Sequence, residues 1–301
     1  MYDIIIVGAG PAGLTAAIYA RRADKKVLVL ERGTFGGQIT YSPKIENYPG
    51  FNQISGNELA ERLMDQALSL GAEIEMTEVT GVIDNNGVIS VSCEDGDYIA
   101  KSVIIATGSK HRQLGLDNEE EFIGNGISFC AVCDGAFYAG KTVAVIGGGN
   151  SALVEAVMLA DTCEKLYIVQ NLDFLTGEEK LANILKSKDN VEIIYSTVVD
   201  ALVGNDELNA IILKNDKTGE KTRLDIDGMF VAIGQVPENE IFRDVTDINE
   251  RGYIVAGEDC LTKTAGLFVA GDCRTKTIRQ ISTACSDGAI AALAAIRYLD
   301  N

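Results

Sequence analysis

Two cysteines separated by two residues and followed at once by an acid are the most chemically pointed feature of this chain: Cys130-Ala131-Val132-Cys133-Asp134. Sulfurs at i and i+3 can close into a small disulfide and open again, and neighbouring groups can lower one thiol's pKa until a thiolate exists near neutral pH. Asp134 adjoins the pair and can serve as a general acid/base when the pair exchanges electrons. Half of a zinc site is the main rival, but it needs a second Cys/His pair. The chain has no other C-x-x-C and a single histidine, His111. The other cysteines (Cys93, Cys163, Cys260, Cys273 and Cys285) sit in apolar or helical contexts and read as core thiols.

A second chemical signature lies at the N-terminus. Gly8, Gly10 and Gly13 form G-x-G-x-x-G, with Pro11 and Ala12 inside the motif, directly after an apolar run and before a helical pattern. The first glycine permits a tight turn, the second lets backbone N–H groups approach a pyrophosphate, and the third lets helix and strand pack closely. The helix N-terminus adds partial positive charge for phosphate. Glu31 ends the next apolar run, where an acid accepts hydrogen bonds from ribose hydroxyls. Together these features point to a bound dinucleotide.

The elements that must position these groups repeat. Asp3–Glu31 and Thr142–Gln170 each read as a buried strand, a glycine turn, a helix of about three turns and a second strand. Each is one βαβ unit of the dinucleotide-binding type. The tail, with GLFVAGD at 266–272 and a small-residue helix over 282–298, completes the first unit rather than the second. The expected fold is therefore α/β, with two Rossmann-like, three-layer domains and the second inserted into the first. The division expected is 1–113 with 245–301, and 114–244.

Composition narrows the function classes. The net charge is −18, and 22 acidic against 9 basic side chains fall between Leu114 and Ile241. Nucleic-acid binding needs clustered cations that release counterions, so that class is excluded. No apolar run approaches the ~18 residues of a membrane span. The N-terminus carries no basic segment ahead of its first strand, so a cytoplasmic protein is the expectation.

Downstream of the first glycine motif come GGQITYSPKIENYPG at 36–50, VIIATG at 103–108, and FVAGD followed by Arg279-Gln280. In order and spacing these segments resemble those of the low-molecular-weight, bacterial-type thioredoxin reductases, over essentially the whole chain. The resemblance implies FAD as cofactor, held by Gly8, Gly10, Pro11, Ala12, Gly13, Glu31, Gly37, Gln38, Asn47, Ala106, Thr107, Gly108, Gly271, Asp272, Arg279, Gln280 and Ile281. It implies that Asp272 bonds the ribityl chain, and that Asn47, Arg279 and Gln280 lie near the flavin. It also implies that Cys133 faces the flavin and Cys130 attacks thioredoxin, that one domain turns between these tasks, and that the protein is a homodimer.

One segment departs from that family. The second turn keeps Gly147, Gly149 and Ala152, but the His-Arg-Arg run and further Arg that grip an NADPH 2′-phosphate are replaced by Gln170-Asn171-Leu172-Asp173-Phe174-Leu175-Thr176. Gln170 is the repeat equivalent of Glu31, and it is neither the acid that suits NAD nor a cation that suits NADP. The acidic surroundings also repel a phosphate. This departure resembles the ferredoxin-dependent flavin thioredoxin reductases of anaerobic bacteria. It implies electrons from reduced ferredoxin, with docking on the basic groups Lys110, Arg112, Arg274, Lys276 and Arg279, or Arg21, Arg22, Lys25 and Lys26. An NAD(P)H enzyme with an atypical grip and a flavoprotein dithiol oxidase remain the alternatives.

Overall fold

The computed structural model describes residues 1–301, and the chain divides into two compact units, Met1–Lys110 with Val236–Asn301, and His111–Gln235. The crossings thus fall at Lys110/His111 and Gln235/Val236, rather than near Gln113 and Asp244.

The first segment begins with β1 (Tyr2–Val7), α1 (Pro11–Arg22) and β2 (Val27–Glu31), then α2 (Gly56–Ser69), β3 (Glu73–Met76), β4 (Val79–Asp84), β5 (Ile89–Cys93) and β6 (Gly96–Ile105). Ile4, Ile5 and Ile6 are all fully buried, as expected for a parallel strand covered on both faces. Pro11 opens α1, where its missing N–H costs nothing. Ser55 caps α2 by accepting from the Glu58 N–H.

After the crossing strand β7 (Lys110–His111) come α3 (Glu119–Phe122), β8 (Ile127–Ser128), α4 (Ala131–Asp134), β9 (Thr142–Ile146), α5 (Asn150–Ala160), β10 (Lys165–Val169), α6 (Glu179–Lys186) and β11 (Val191–Ile194). The strands β12 (Thr197–Gly204), β13 (Leu208–Asn215) and β14 (Lys221–Asp225) form an antiparallel sheet of their own. Next comes β15 (Gly228–Val231), and the chain returns through β16 (Gln235–Val236), which pairs with β7. The main sheet of this unit has the order β11-β10-β9-β15-β8, parallel throughout.

The tail then supplies β17 (Leu267–Val269) and α7 (Ile281–Asp300) to the first unit. Its sheet runs β3-β2-β1-β6-β5-β4, with β17 parallel to the far end of β6. The α7 helix packs on α1 through small residues, among them Ala284, Ala291, Ala292 and Ala295, all buried. The structure thus shows two Rossmann-like nucleotide-binding sheets. No helix is long and apolar enough to cross a membrane.

The same tight approach, one that only glycine tolerates, recurs at the first turn of each unit. Gly8 has φ +109°, and a Cβ there would lie 2.4 Å from the Ala106 carbonyl oxygen. Gly147 repeats this with φ +124° and 2.7 Å to the Ala232 carbonyl oxygen.

The first unit also hides an ionic cluster. Arg274 is 1% exposed and Asp287 is 3% exposed. Asp287 accepts from Arg274 Nε and Nη2 at 2.9 and 2.8 Å, from Lys276 Nζ at 2.9 Å, and from the Gly271 N–H at 3.0 Å. Burial alone would raise the Asp287 pKa, but the bonds from Arg274 and Lys276 outweigh it and hold the carboxyl below its usual range. A depressed carboxyl stabilises the fold above its unfolded pKa, and that contribution disappears as pH falls through the folded value. Asp287→Asn leaves two buried cations without their anion, a change that costs about 3–5 kcal/mol. Urea unfolding should show this loss near neutral pH, with the gap from wild type closing as the buffer is acidified below pH about 4.

Candidate functional site

The expected dinucleotide residues converge at the C-terminal ends of β1, β6 and β17, beside the N-terminus of α1. Ala106 N–H bonds the Val7 carbonyl at 2.8 Å, and Gly36 N–H bonds the Ala9 carbonyl at 2.9 Å, which lays the Gly36-Gly37 turn along Gly8–Gly10. A Cβ at Gly271 would lie 2.9 Å from the Ala12 Cβ, so the tail turn also closes on the motif. Glu31 takes the Ala9 N–H at 2.7 Å and the Gly33 N–H at 2.8 Å, and these bonds hold its carboxylate at the mouth of the turn.

Further along, Asn47 Nδ2 donates to Gln280 Oε1 at 3.3 Å, and Gln280 forms a capping box with Thr283 at the start of α7, next to Ile281. The Arg279 guanidinium lies 4.2 Å from the centre of the Tyr253 ring. Asp272 is the informative member. Its Oδ1 is buried with no hydrogen-bond partner. Burial pushes its carboxyl up to about 6, despite the opposing fields of Lys276 and Arg279. A buried acceptor left open costs about 1–3 kcal/mol, so this atom fits a ligand hydroxyl. The donor set therefore suits a dinucleotide with a polyhydroxyl chain. Gln38, Thr107 and Gly108 lie in the same loops, and Thr107 Oγ1 bonds Asn239 Oδ1 at 3.2 Å.

In the inserted unit Cys130 and Cys133 are joined as a disulfide, with Cα atoms 5.3 Å apart. Cys130 caps the single-turn helix α4, and its Sγ accepts the Cys133 N–H at 3.2 Å. Ser128 braces the turn from below: its Oγ accepts the Cys130 N–H at 3.1 Å and donates to Asp134 Oδ2 at 2.6 Å. Asp134 Oδ1 is buried with no partner. Burial raises the Asp134 pKa, against the Ser128 hydroxyl bond, so Asp134 keeps its proton at pH values where an exposed aspartate has lost it. Sequence reasoning missed one residue here: Glu155 Oε2, on α5, accepts the Ala131 N–H at 3.4 Å. Of the other cysteines, Cys163, Cys260 and Cys273 are buried, whereas Cys93 and Cys285 are only half-buried.

The second glycine turn is built like the first. Thr176 N–H and Gly177 N–H both donate to the Gly148 carbonyl at 2.9 Å, as Gly36 does to Ala9. Gln170 is buried, however, and its amide donates inward to the Phe174 carbonyl at 3.1 Å. The rim exposes Leu172 and Phe174, and Asp173 pairs with Lys217 at 2.9 Å.

Two basic groups expected on a docking face are not there. Arg274 and Lys276 are sealed inside by Asp287, with side-chain exposures of 1% and 6%. Lys110 and Arg112 stay exposed, Lys110 paired with Glu238 at 3.2 Å. In the N-terminal cluster Arg21 bonds the Leu70 carbonyl, while Lys25 and Lys26 pair with Asp300 and Glu73.

Residues 2–288 match the pyridine nucleotide-disulphide oxidoreductase family. The chain is 41% identical over 300 residues to a thioredoxin reductase of Treponema pallidum, covering 99% of this chain and 97% of that protein. The chain belongs to the low-molecular-weight thioredoxin reductase family. It is also 44% identical over 300 residues to a 34.2 kDa protein in the rubredoxin operon of Clostridium pasteurianum, covering 99% of this chain and 97% of that protein. Among solved structures, a thioredoxin reductase of Streptococcus pyogenes superposes with a TM-score of 0.95 at 38% identity, covering 100% of this chain and 98% of that one. As in other thioredoxin reductases, the C-x-x-C pair is the redox disulfide. Asp134→Asn keeps the shape of the turn and removes its proton store. Thioredoxin turnover should fall about a hundredfold, measured with insulin-coupled thioredoxin reduction, while the disulfide still forms.

Proposed function

We propose that this chain is an FAD-dependent thioredoxin reductase that draws electrons from reduced ferredoxin rather than from NADPH. The observation that carries the choice of donor is the rim of the second glycine turn. A 2′-phosphate needs a charged, bidentate clamp, worth a few kcal/mol, or on the order of a hundredfold in affinity. That rim offers Asn171, exposed Leu172 and Phe174, an acid already paired with Lys217, and Thr176 turned onto the Gly148 carbonyl.

The residues that would hold FAD are the Gly8–Gly13 turn for the pyrophosphate, Glu31 for the ribose, Asp272 for the ribityl chain, and Asn47, Arg279 and Gln280 beside the ring. When bound, FAD supplies the ability to take electrons singly and pass them on as a pair. The protein's own groups do the rest. The α4 turn holds both sulfurs within reach of one another, and the Cys133 N–H that Cys130 Sγ accepts favours a thiolate at Cys130. In this reading the Cys130 thiolate attacks the substrate disulfide, and the Cys133 sulfur then displaces the substrate to restore the ring. Asp134 holds the proton needed at the Cys133 end.

Anaerobic titration of the yellow protein with NADPH, NADH and reduced ferredoxin tests the donor. Ferredoxin alone should bleach the flavin band, and oxidised thioredoxin should restore it. Rapid bleaching by micromolar NADPH would make the enzyme an ordinary nicotinamide-dependent one and overturn the choice. The sulfur roles are tested separately. Cys133→Ser should accumulate a mixed disulfide with thioredoxin through Cys130, seen by mass spectrometry. Accumulation only with Cys130→Ser would reverse the roles.

A further inference from the structure

The redox turn touches two half-buried carboxyls, Asp134 and Glu155, and the mechanism above uses only one. Asp134 ends α4 on the Cys133 side. Glu155 approaches the other end from α5, its Oε2 on the N–H of Ala131, one peptide bond from Cys130. Ala131 N–H is the first donor of the α4 helix, and it would otherwise support negative charge at the capping sulfur.

The structure assigns Glu155 the role of a positioning residue for the redox pair: held on the Ala131 N–H, its charge sets how readily the Cys130 thiol becomes a thiolate. The assignment rests on the reading of Cys130 as the attacking sulfur. Burial pushes the Glu155 carboxyl up to about 7, against the single bond from Ala131. The elements packed against α5 bring other ionisable groups. The α4 turn brings Asp134 and the two cysteines, and the 3-10 turn after it brings Tyr138. The α6 helix brings Glu179, Lys180 and Lys186, and β10 brings Lys165 and Tyr167. None of these offsets or adds to the shift at Glu155.

Two groups this close titrate as a pair. When Glu155 is charged, a thiolate one peptide bond away is disfavoured; when Glu155 takes up a proton, the thiolate is favoured. Loss of the Cys130 proton is thus matched by proton uptake at Glu155, and no second negative charge accumulates in the turn. The thiolate then attacks one sulfur of the substrate disulfide. The new Cys130–substrate S–S bond forms as the substrate's own S–S bond breaks. The departing sulfur leaves as a thiolate and is protonated as Glu155 gives its proton up. The Cys133 thiol then gives up its proton and attacks Cys130; the Cys130–substrate S–S bond breaks, and the second substrate sulfur leaves as a thiolate and takes that proton. The Cys130–Cys133 ring is re-formed, and two electrons have passed from the dithiol to the substrate.

The test measures Cys130 directly. In full-length, FAD-loaded protein carrying Cys133→Ser, the iodoacetamide alkylation rate of the Cys130 peptide is followed by mass spectrometry across the neutral pH range. Adding Glu155→Gln keeps an acceptor for the Ala131 N–H and removes the charge. The apparent Cys130 pKa should fall by about one unit, which makes alkylation about tenfold faster on the acid side. Glu155→Asp should leave it near the parent. A folded Glu155→Gln protein with an unchanged Cys130 profile would overturn the assignment. If that variant does not fold, the parent profile decides: coupling to a carboxyl bends it near pH 7, and a single smooth titration sinks the proposal. If mixed-disulfide trapping shows Cys133 as the attacking sulfur while the Cys130 profile still responds to Glu155, the role reading fails and the coupling stands.

Discussion

Both units depend on one steric requirement, the passage of a strand-to-helix turn against the carbonyl at the end of the neighbouring strand. Gly8 meets Ala106 and Gly147 meets Ala232 in this way, and a side chain at either position would force the sheet and helix apart. In the first unit the turn leaves the α1 N-terminus open toward Glu31 and Asp272. In the inserted unit the same turn launches α5, and α5 is the surface on which the redox turn α4 rests. Keeping Gly147 is therefore a structural necessity for the dithiol whether or not the turn holds a nucleotide. This explains how a complete glycine turn coexists with a rim that lacks cations.

Electrostatics at the chemistry-bearing positions follows one contest, burial against local charge, with opposite winners. At Asp287 three groups, two of them cationic, converge through four N–H bonds, and charge wins. At Asp134, Glu155 and Asp272 burial is opposed by a single neutral donor or by cations that make no bond to the carboxylate, and burial wins. The first outcome gives a fixed anion that anchors the Gly271 turn. The second raises all three carboxyls, Glu155 to about 7 and Asp272 to about 6, the kind of shift found at functional positions.

The sequence made some features legible and hid others, for identifiable reasons. The glycine turns, their repeat and the C-x-x-C-D run were readable because each is local: spacing along the chain sets the geometry. The convergence of the tail on the first unit was readable because the inserted unit interrupts a pattern that resumes. Arg274 and Lys276 looked like surface cations, since no acid lies between residues 273 and 286 and Asp272 was assigned to the cofactor. Their partner lies on α7, and its approach is a tertiary fact. Glu155 was unremarkable for the same reason. A lone acid in an apolar helix could have raised suspicion, but which backbone N–H it would meet depends on how α4 seats on α5. The crossings lie a few residues from Gln113 but about nine from Asp244, because β7 and β16 are two-residue strands with no periodicity to read.

The placement of these groups separates two properties of the enzyme, its choice of electron donor and the acidity of its sulfurs. In the proposed reading, donor choice turns on side chains at the exposed rim of the second turn, such as Leu172 and Phe174, and changes at exposed positions usually alter stability by less than about 0.5 kcal/mol. Thiol chemistry turns on Ser128, Asp134 and Glu155, which are packed beneath the redox turn and braced by β8 and α5. On that reading, a chain of this architecture can change its electron source through residues that carry little of the fold. Changing the acidity of its sulfurs requires altering groups on which the α4 turn is built. The donor is the adjustable property, and the dithiol chemistry is tied to the core.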